Sequence, residues 1–216
     1  QLDPDVFLPV TAPPKTTKPG SLRGNLRKAM RLLKQAGWTM GPERILVNAK
    51  GEQFRFDVML VSPAFERIMA PYAKNLKKLG VLAEYRTVDL SLYQRRMESF
   101  DFDMVISVYG QSQSPGNEQR SMWTSQAAET NGSRNYMGLK DPVIDALVEK
   151  IIYADDRKAL VTACKALDRA LLAGHYIVPN WHAPNHRIAW WNRFARPETL
   201  PLYYQPGSWL WAWWIQ

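Results

Sequence analysis

Cysteine is all but absent: Cys164 is the only one in 216 residues, which excludes an intrachain disulfide. It falls on one helical stripe with Leu160, Leu167 and Leu171, a pattern that predicts a small buried core residue rather than a reactive thiol. Histidine is scarce as well, with only His175, His182 and His186. The second and third have a spacing that two ligands on a helix could use, but Pro179 and Pro184 argue against a helix there. No Cys or Glu cluster completes a coordination set, so we expect no metal and no cofactor. The chain also lacks a Gly-x-Ser-x-Gly elbow, a glycine-rich phosphate loop and paired carboxylates in a catalytic context. Catalysis is therefore not indicated, and an unrecognised hydrolase ranks third among the functional readings. No apolar run approaches the roughly 20 residues of a membrane-spanning helix. The opening Gln1-Leu2-Asp3-Pro4 has neither a basic start nor an apolar core of a signal peptide, an abrupt start that leads us to expect a mature or truncated product.

What is present points to a folded chain. Apolar residues make up 46% and aromatic residues 12% of the composition, enough for a sizeable core. The net charge of +8, with a pI near 9.6, raises a basic nucleic-acid-binding module as the alternative reading. The densest basic run is Arg23, Arg27, Lys28, Arg31 and Lys34, interleaved with Leu22, Leu26, Met30 and Leu33. That pattern describes the water-facing side of an amphipathic helix. No nucleic-acid motif accompanies it, so no nucleic-acid partner is expected.

Residues 1–20, with Pro13-Pro14 and Pro19-Gly20, read as an extended arm. Ser21 is a helix N-cap and Gly37 a helix end. Trp38 leads to Ile45-Leu46-Val47, a turn at Lys50-Gly51-Glu52, and a half-buried strand in which Phe54, Phe56, Val58 and Leu60 alternate with more polar positions. Ser62-Pro63 opens a helix that ends at Gly80 and should kink at Pro71. A strand Val81–Val88, a short helix Leu92–Glu98 and a strand Phe102–Val108 follow. Further helices start at Asp141-Pro142 and Asp155-Asp156, and beyond His175 the chain becomes short strands and loops dense in Trp and Pro. Strand and helix alternate through the middle, so the class is α/β.

After Val108 a polar loop runs from Tyr109 to about Asn135 with little apolar content besides Met122 and Trp123. Open α/β units bind ligands beyond the carboxyl ends of their strands, where this loop begins. Its side chains offer short polar reach with varied donors and acceptors, and they are the candidate ligand contacts: amides and hydroxyls at Gln111, Ser112, Asn117 and Asn135, opposite charges at Glu118 and Arg120, flat rings at Tyr109 and Trp123. Trp181 is a further candidate ring, with His182 beside it. The competing reading is a surface loop that Glu118 and Arg120 merely brace.

The order Ala36-Gly37-Trp38, the hairpin at Gly51, Leu92-Tyr93 and Phe100-Asp101-Phe102-Asp103 resembles the second lobe of the family 5 solute-binding proteins, which bind oligopeptides and dipeptides. Within that family, Ser114-Pro115-Gly116-Asn117-Glu118-Gln119-Arg120, Gly132-Ser133-Arg134-Asn135, His175-Tyr176-Ile177-Val178-Pro179-Asn180-Trp181-His182 and the tail Trp209–Trp214 are similar to the Yej-type branch, which is associated with oligopeptides and microcin C. The resemblance implies the C-terminal lobe of a type II periplasmic-binding-protein-like fold, with no catalysis. It implies a periplasmic protein that closes on an oligopeptide or peptide-like ligand and delivers it to ABC transporter permease subunits. It further implies an N-terminal lobe missing from this chain, residues 21–196 as the α/β lobe, and 197–216 as a tail packing toward that absent lobe. Of Trp190, Trp191, Trp209, Trp211, Trp213 and Trp214, most are expected to be core. Many relatives hold the peptide ammonium with an aspartate whose approximate counterpart here is Ser112, flanked by Gln111 and Gln113. Glu118 is then the nearest carboxylate for that task, with Arg120 facing the opposite sign on the ligand.

Overall fold

The computed structural model describes residues 14–180, 189–199 and 212–215. The chain divides into two compact units between Tyr176 and Ile177.

In the first unit, the Ser21 hydroxyl accepts the Gly24 N–H at 3.0 Å and starts α1, Leu22–Gln35. Gly37, at φ +90°, turns the chain out of the helix. Strands β1 (Thr39–Met40) and β2 (Leu46–Val47) form a short antiparallel pair. They join α1 in a small core where Leu26, Met30 and Leu33 pack with Leu46, Leu79 and Val81. Trp38 stacks on Phe54 at 4.5 Å in the same cluster.

Strand β3, Arg55–Leu60, is the centre of a parallel sheet, with β4 (Leu82–Thr87) on one side and β5 (Met104–Val105) on the other. The expected half-buried alternation in β3 does not hold. Val58, Met59 and Leu60 are all 2% exposed or less, since a central parallel strand is covered on both faces. Between β3 and β4 a 3-10 turn, Pro63–Phe65, runs into α2, Glu66–Lys77, and Pro71 lies inside α2 without ending it. Helix α3, Leu90–Glu98, is capped by the Asp89 carboxylate, which accepts the Leu92 N–H at 2.9 Å.

The strand anticipated over Phe102–Val108 shrinks to the two residues of β5. Side chains take over the backbone groups at both ends. The Asp57 N–H donates to Asp103 Oδ2 at 2.9 Å, and the Tyr93 hydroxyl donates to the Ile106 carbonyl at 3.0 Å.

The long polar loop is also corrected, because it contains helix α4, Glu118–Trp123, and a 3-10 turn at Ala127–Glu129. Met122 and Trp123 are the reason. They reach the core formed by α5 (Pro142–Ile152) and α6 (Arg157–Ala173), where Ile144, Val148, Ile151, Ala163 and Leu167 are buried. The helices start where the sequence suggests, and Asp141 and Asp156 cap α5 and α6. Cys164 packs at the edge of that core, and burial raises its thiol pKa.

In the second unit, β6 (Phe194–Ala195) pairs antiparallel with β7 (Trp214–Ile215). Trp190 meets Trp213 edge-on at 5.1 Å. Trp190, Trp191 and Trp214 are exposed rather than core, at 45%, 76% and 52%. Trp209 and Trp211 lie outside the described residues. The architecture of the first unit is mixed α/β, with helices packed around a three-stranded parallel sheet.

Candidate functional site

The segment after β5 leaves the carboxyl end of the parallel sheet and is pinned at both ends. Tyr109 stacks on Trp123 at 5.0 Å, and its hydroxyl donates to the Arg134 carbonyl at 2.9 Å. The Arg134 guanidinium lies over the Tyr109 ring at 5.4 Å and donates to the Val108 carbonyl at 3.2 Å. Burial first, then the neighbouring Tyr136, pushes the Tyr109 phenol up to about 12. This ring is thus a neutral anchor at physiological pH.

At the other end, Arg120 is tied to α5. Its Nε and Nη2 each meet a Glu149 carboxylate oxygen at 2.7 Å, and Nη1 donates to Asn117 Oδ1 at 2.9 Å. Paired nitrogens on paired oxygens are the strongest geometry available to this side chain. The contact holds the Glu149 carboxyl below the ordinary carboxylate range and raises the Arg120 guanidinium. The Arg120 charge is thus already answered by Glu149 of α5, in a pair that stays partly exposed.

Two other predicted residues are internal. Asn135 is 0% exposed. Its amide donates to the carbonyls of Thr124 and Leu139 at 2.9 and 2.8 Å, and its Oδ1 accepts the Leu139 N–H at 2.9 Å. Trp123 is 8% exposed and donates its indole N–H to Gln119 Oε1 at 2.9 Å. Both are structural, because their polar groups are consumed inside the fold.

The remaining predicted residues face outward on one stretch. Gln111 accepts from Gln119 Nε2 at 2.8 Å, which fixes its side chain while leaving it exposed. Ser112 is exposed, and its Oγ accepts the Ser114 N–H at 3.2 Å. Asn117 is exposed, with its Oδ1 on Arg120. Glu118 Oε1 accepts the Gly116 N–H at 2.9 Å and the Gln119 amide at 3.1 Å. The Gly116 N–H is the main cause that lowers the Glu118 pKa, so the carboxylate is ionised at neutral pH. Trp181 and His182 lie outside the described residues.

Gln119, 2% exposed, is the residue sequence reasoning missed. Its one amide ties Gln111, Glu118 and Trp123 together. Its spacing four before Trp123, once α4 is recognised, is the signal that would have found it. Arg157 is a second: its Nη1 donates to the Gln113 carbonyl at 2.6 Å and holds the loop onto α6.

The hollows on the sheet are elsewhere. One of about 290 Å³ is lined by Asp57, Arg86, Arg96 and Asp103, another of about 500 Å³ by Asp57 and Glu84 among others. Their charges are largely mutually paired, Arg86 with Asp57 at 3.4 Å and Arg96 with Asp101 at 2.8 Å. Among the described residues no group of three His, Cys, Asp or Glu side chains is arranged to hold a metal, and no helix is long and apolar enough to cross a membrane.

Comparison with known proteins adds an independent line. The sequence model described as "Bacterial extracellular solute-binding proteins, family 5 Middle" matches residues 3–131. "Uncharacterized protein y4wM" of Sinorhizobium fredii is 48% identical over 93% of this chain and 30% of its own length. "Probable peptide-binding protein YejA" of Agrobacterium fabrum is 43% identical over 94% of this chain and 33% of its own. The chain thus spans about a third of the length of the curated relatives it matches. Among solved structures, the oligopeptide-binding protein AppA of Bacillus subtilis, in complex with a nonapeptide, superposes with a TM-score of 0.62 at 22% identity. That match covers 69% of this chain and 30% of AppA.

Proposed function

This chain belongs to the family 5 bacterial extracellular solute-binding proteins, and from that premise we propose that it forms the second lobe of the substrate-binding component of a peptide ABC importer. The ligand is an oligopeptide or peptide-like solute, held between this lobe and another lobe of the same protein in the periplasm and passed to the permease subunits. Closure around the ligand, not catalysis, is the working step. The names of two relatives, one a peptide-binding protein and one solved with a nonapeptide, support the ligand class.

The observation that carries the reading is the Glu118 carboxylate. One oxygen is held by Gly116 and Gln119 while the side chain stays exposed beside Asn117. A carboxylate oriented in this way, next to the fixed amide of Gln111 and the Ser112 hydroxyl, suits a peptide ammonium followed by backbone amide groups. A Glu118 that only braced the loop would show no dependence on the ligand's amino terminus. The test is calorimetry on the full-length protein with free and N-acetylated forms of one peptide, for wild type and Glu118→Gln. A charge-assisted bond predicts that acetylation weakens wild-type binding by about 10–100-fold, and the variant much less. An equal loss in both proteins would remove Glu118 as the anchor.

A further inference from the structure

Helix α1 uses one stripe for packing and leaves the rest unassigned. Leu26, Ala29, Met30 and Leu33 face the small core they share with Leu46, Leu79 and Val81. At about 100° per residue, Arg23, Lys34, Arg27, Arg31 and Lys28 follow one another around an arc of roughly 140° on the opposite side. Only Gly24 and Gln35 intervene in that arc, and the helix carries no acidic residue. All five cations are exposed. The ion pairs formed among the described residues use Arg55, Arg86, Arg96, Arg120 and Lys140, and none uses a cation of α1. Five like charges on 14 residues repel one another, and no acidic residue of the helix offsets them; only Lys34, in the last turn, is placed to complement the helix dipole.

We propose that the outer face of α1 is a docking surface for the anionic phospholipid headgroups of a bilayer. Charge complementarity selects a polyanion, and the neighbour at the edge of the arc favours a lipid surface over a nucleic acid. Leu32 lies beside Lys28 on that edge and is 54% exposed. A headgroup layer accepts both an isolated leucine and the surrounding cations, whereas a phosphate backbone has no use for the leucine. The apolar stripe of α1 is occupied by the core, so the helix does not insert. Its attachment is electrostatic, reversible and sensitive to salt. Such a surface would keep a diffusing binding protein near a membrane without fixing it there. The inference does not depend on which ligand the cleft takes.

The test is co-sedimentation of the full 216-residue chain with phosphatidylcholine vesicles, with and without phosphatidylglycerol, at low and high salt. Binding is expected only with phosphatidylglycerol and only at low salt. Each cation facing the headgroups contributes about fivefold in partitioning, so Arg27→Gln/Arg31→Gln should weaken it by about 25-fold. Arg27→Glu/Arg31→Glu should abolish it. The control is Lys158→Glu/Lys165→Glu on exposed positions of α6, which lowers the net charge as much as the Glu pair on α1 while leaving the α1 face intact. A loss in the control equal to that of the Glu pair would overturn the proposal, as would equal binding to neutral vesicles. Preference for a DNA duplex over the anionic vesicles in the same assay would overturn it as well. The Gln pair keeps the test sound if the Glu pair fails to fold, since neutral exposed substitutions leave the α1 core untouched.

Discussion

Replacing Asn135 by alanine should cost this chain more stability than its position in a polar loop suggests. The side chain makes three hydrogen bonds between 2.8 and 2.9 Å, two to Leu139 and one to Thr124. Leu139 is 2% exposed, so water cannot replace what its N–H and carbonyl lose. Thr124 is half-buried and can recover a water. Two buried backbone groups left without partners at about 1–3 kcal/mol each give a loss of about 2–6 kcal/mol. Against a typical domain stability of about 5–15 kcal/mol, that is a large fraction.

Asn135→Asp keeps the shape and should do no better at neutral pH, because it turns the amide donor into an oxygen facing two carbonyl oxygens. The assay is urea unfolding followed by far-ultraviolet circular dichroism. With an m-value of about 2 kcal/mol per molar, the midpoint for Asn135→Ala should fall by about 1–3 M with m unchanged. An Asn135→Ala protein within about 0.5 kcal/mol of wild type would refute the reasoning. So would a variant of full-length protein that loses peptide affinity while keeping its stability, which would return Asn135 to the ligand site.

Two further outcomes follow from the same geometry. The folded-state pKa of Glu149 is depressed by Arg120, so its contribution is fully present above the ordinary value of 4.5 and is lost as pH falls through the lower folded value. Urea midpoints measured across that acid range should therefore drop more steeply for wild type than for Glu149→Gln, and parallel curves would contradict the pairing. Gly80 and Gly51 both sit at φ +82°, but a Cβ at Gly80 would lie 3.0 Å from the Arg44 carbonyl oxygen while one at Gly51 meets nothing within 4 Å. Gly51→Ala should thus cost about 1 kcal/mol from the backbone conformation alone, and Gly80→Ala at least about 2 kcal/mol by thermal or urea unfolding; equal costs would show that crowding is relieved cheaply.

Much of the fold was legible because its signals are local. Ser21, Asp141 and Asp156 announce their helices by cap chemistry, and each side chain makes the bond its type predicts. Gly37 and Gly80 end helices at positive φ as their type allows. What could not be read was decided by partners far along the chain. The shortness of β5 depends on Asp103 reaching the Asp57 N–H and on Tyr93 reaching Ile106. Helix α4 exists because Met122 and Trp123 find the core of α5 and α6, and six residues offer too little periodicity to show that in advance.

The same distinction explains which candidate site residues changed role. Residue type placed Arg120, Trp123 and Asn135 among the candidates, two polar side chains and the largest ring in the loop. These are the side chains that the loop itself requires. A polar segment without a strand ladder must be held by side chains, and its backbone groups need partners wherever water is excluded. Arg120 clamps it to Glu149, Asn135 closes it on Leu139, and Trp123 roots it beside Tyr109. Arg157 holds the middle at Gln113. What remains turned outward is modest in type: a fixed amide at Gln111, a hydroxyl at Ser112, an amide at Asn117 and one ionised carboxylate at Glu118. A surface of that kind is held in place before any ligand arrives, so ordering it adds little to the entropic cost of binding. Under the proposed function its groups would meet the repeating amides of a peptide rather than one side chain. A loop built this way would recognise the ligand's backbone and amino terminus while remaining tolerant of its sequence.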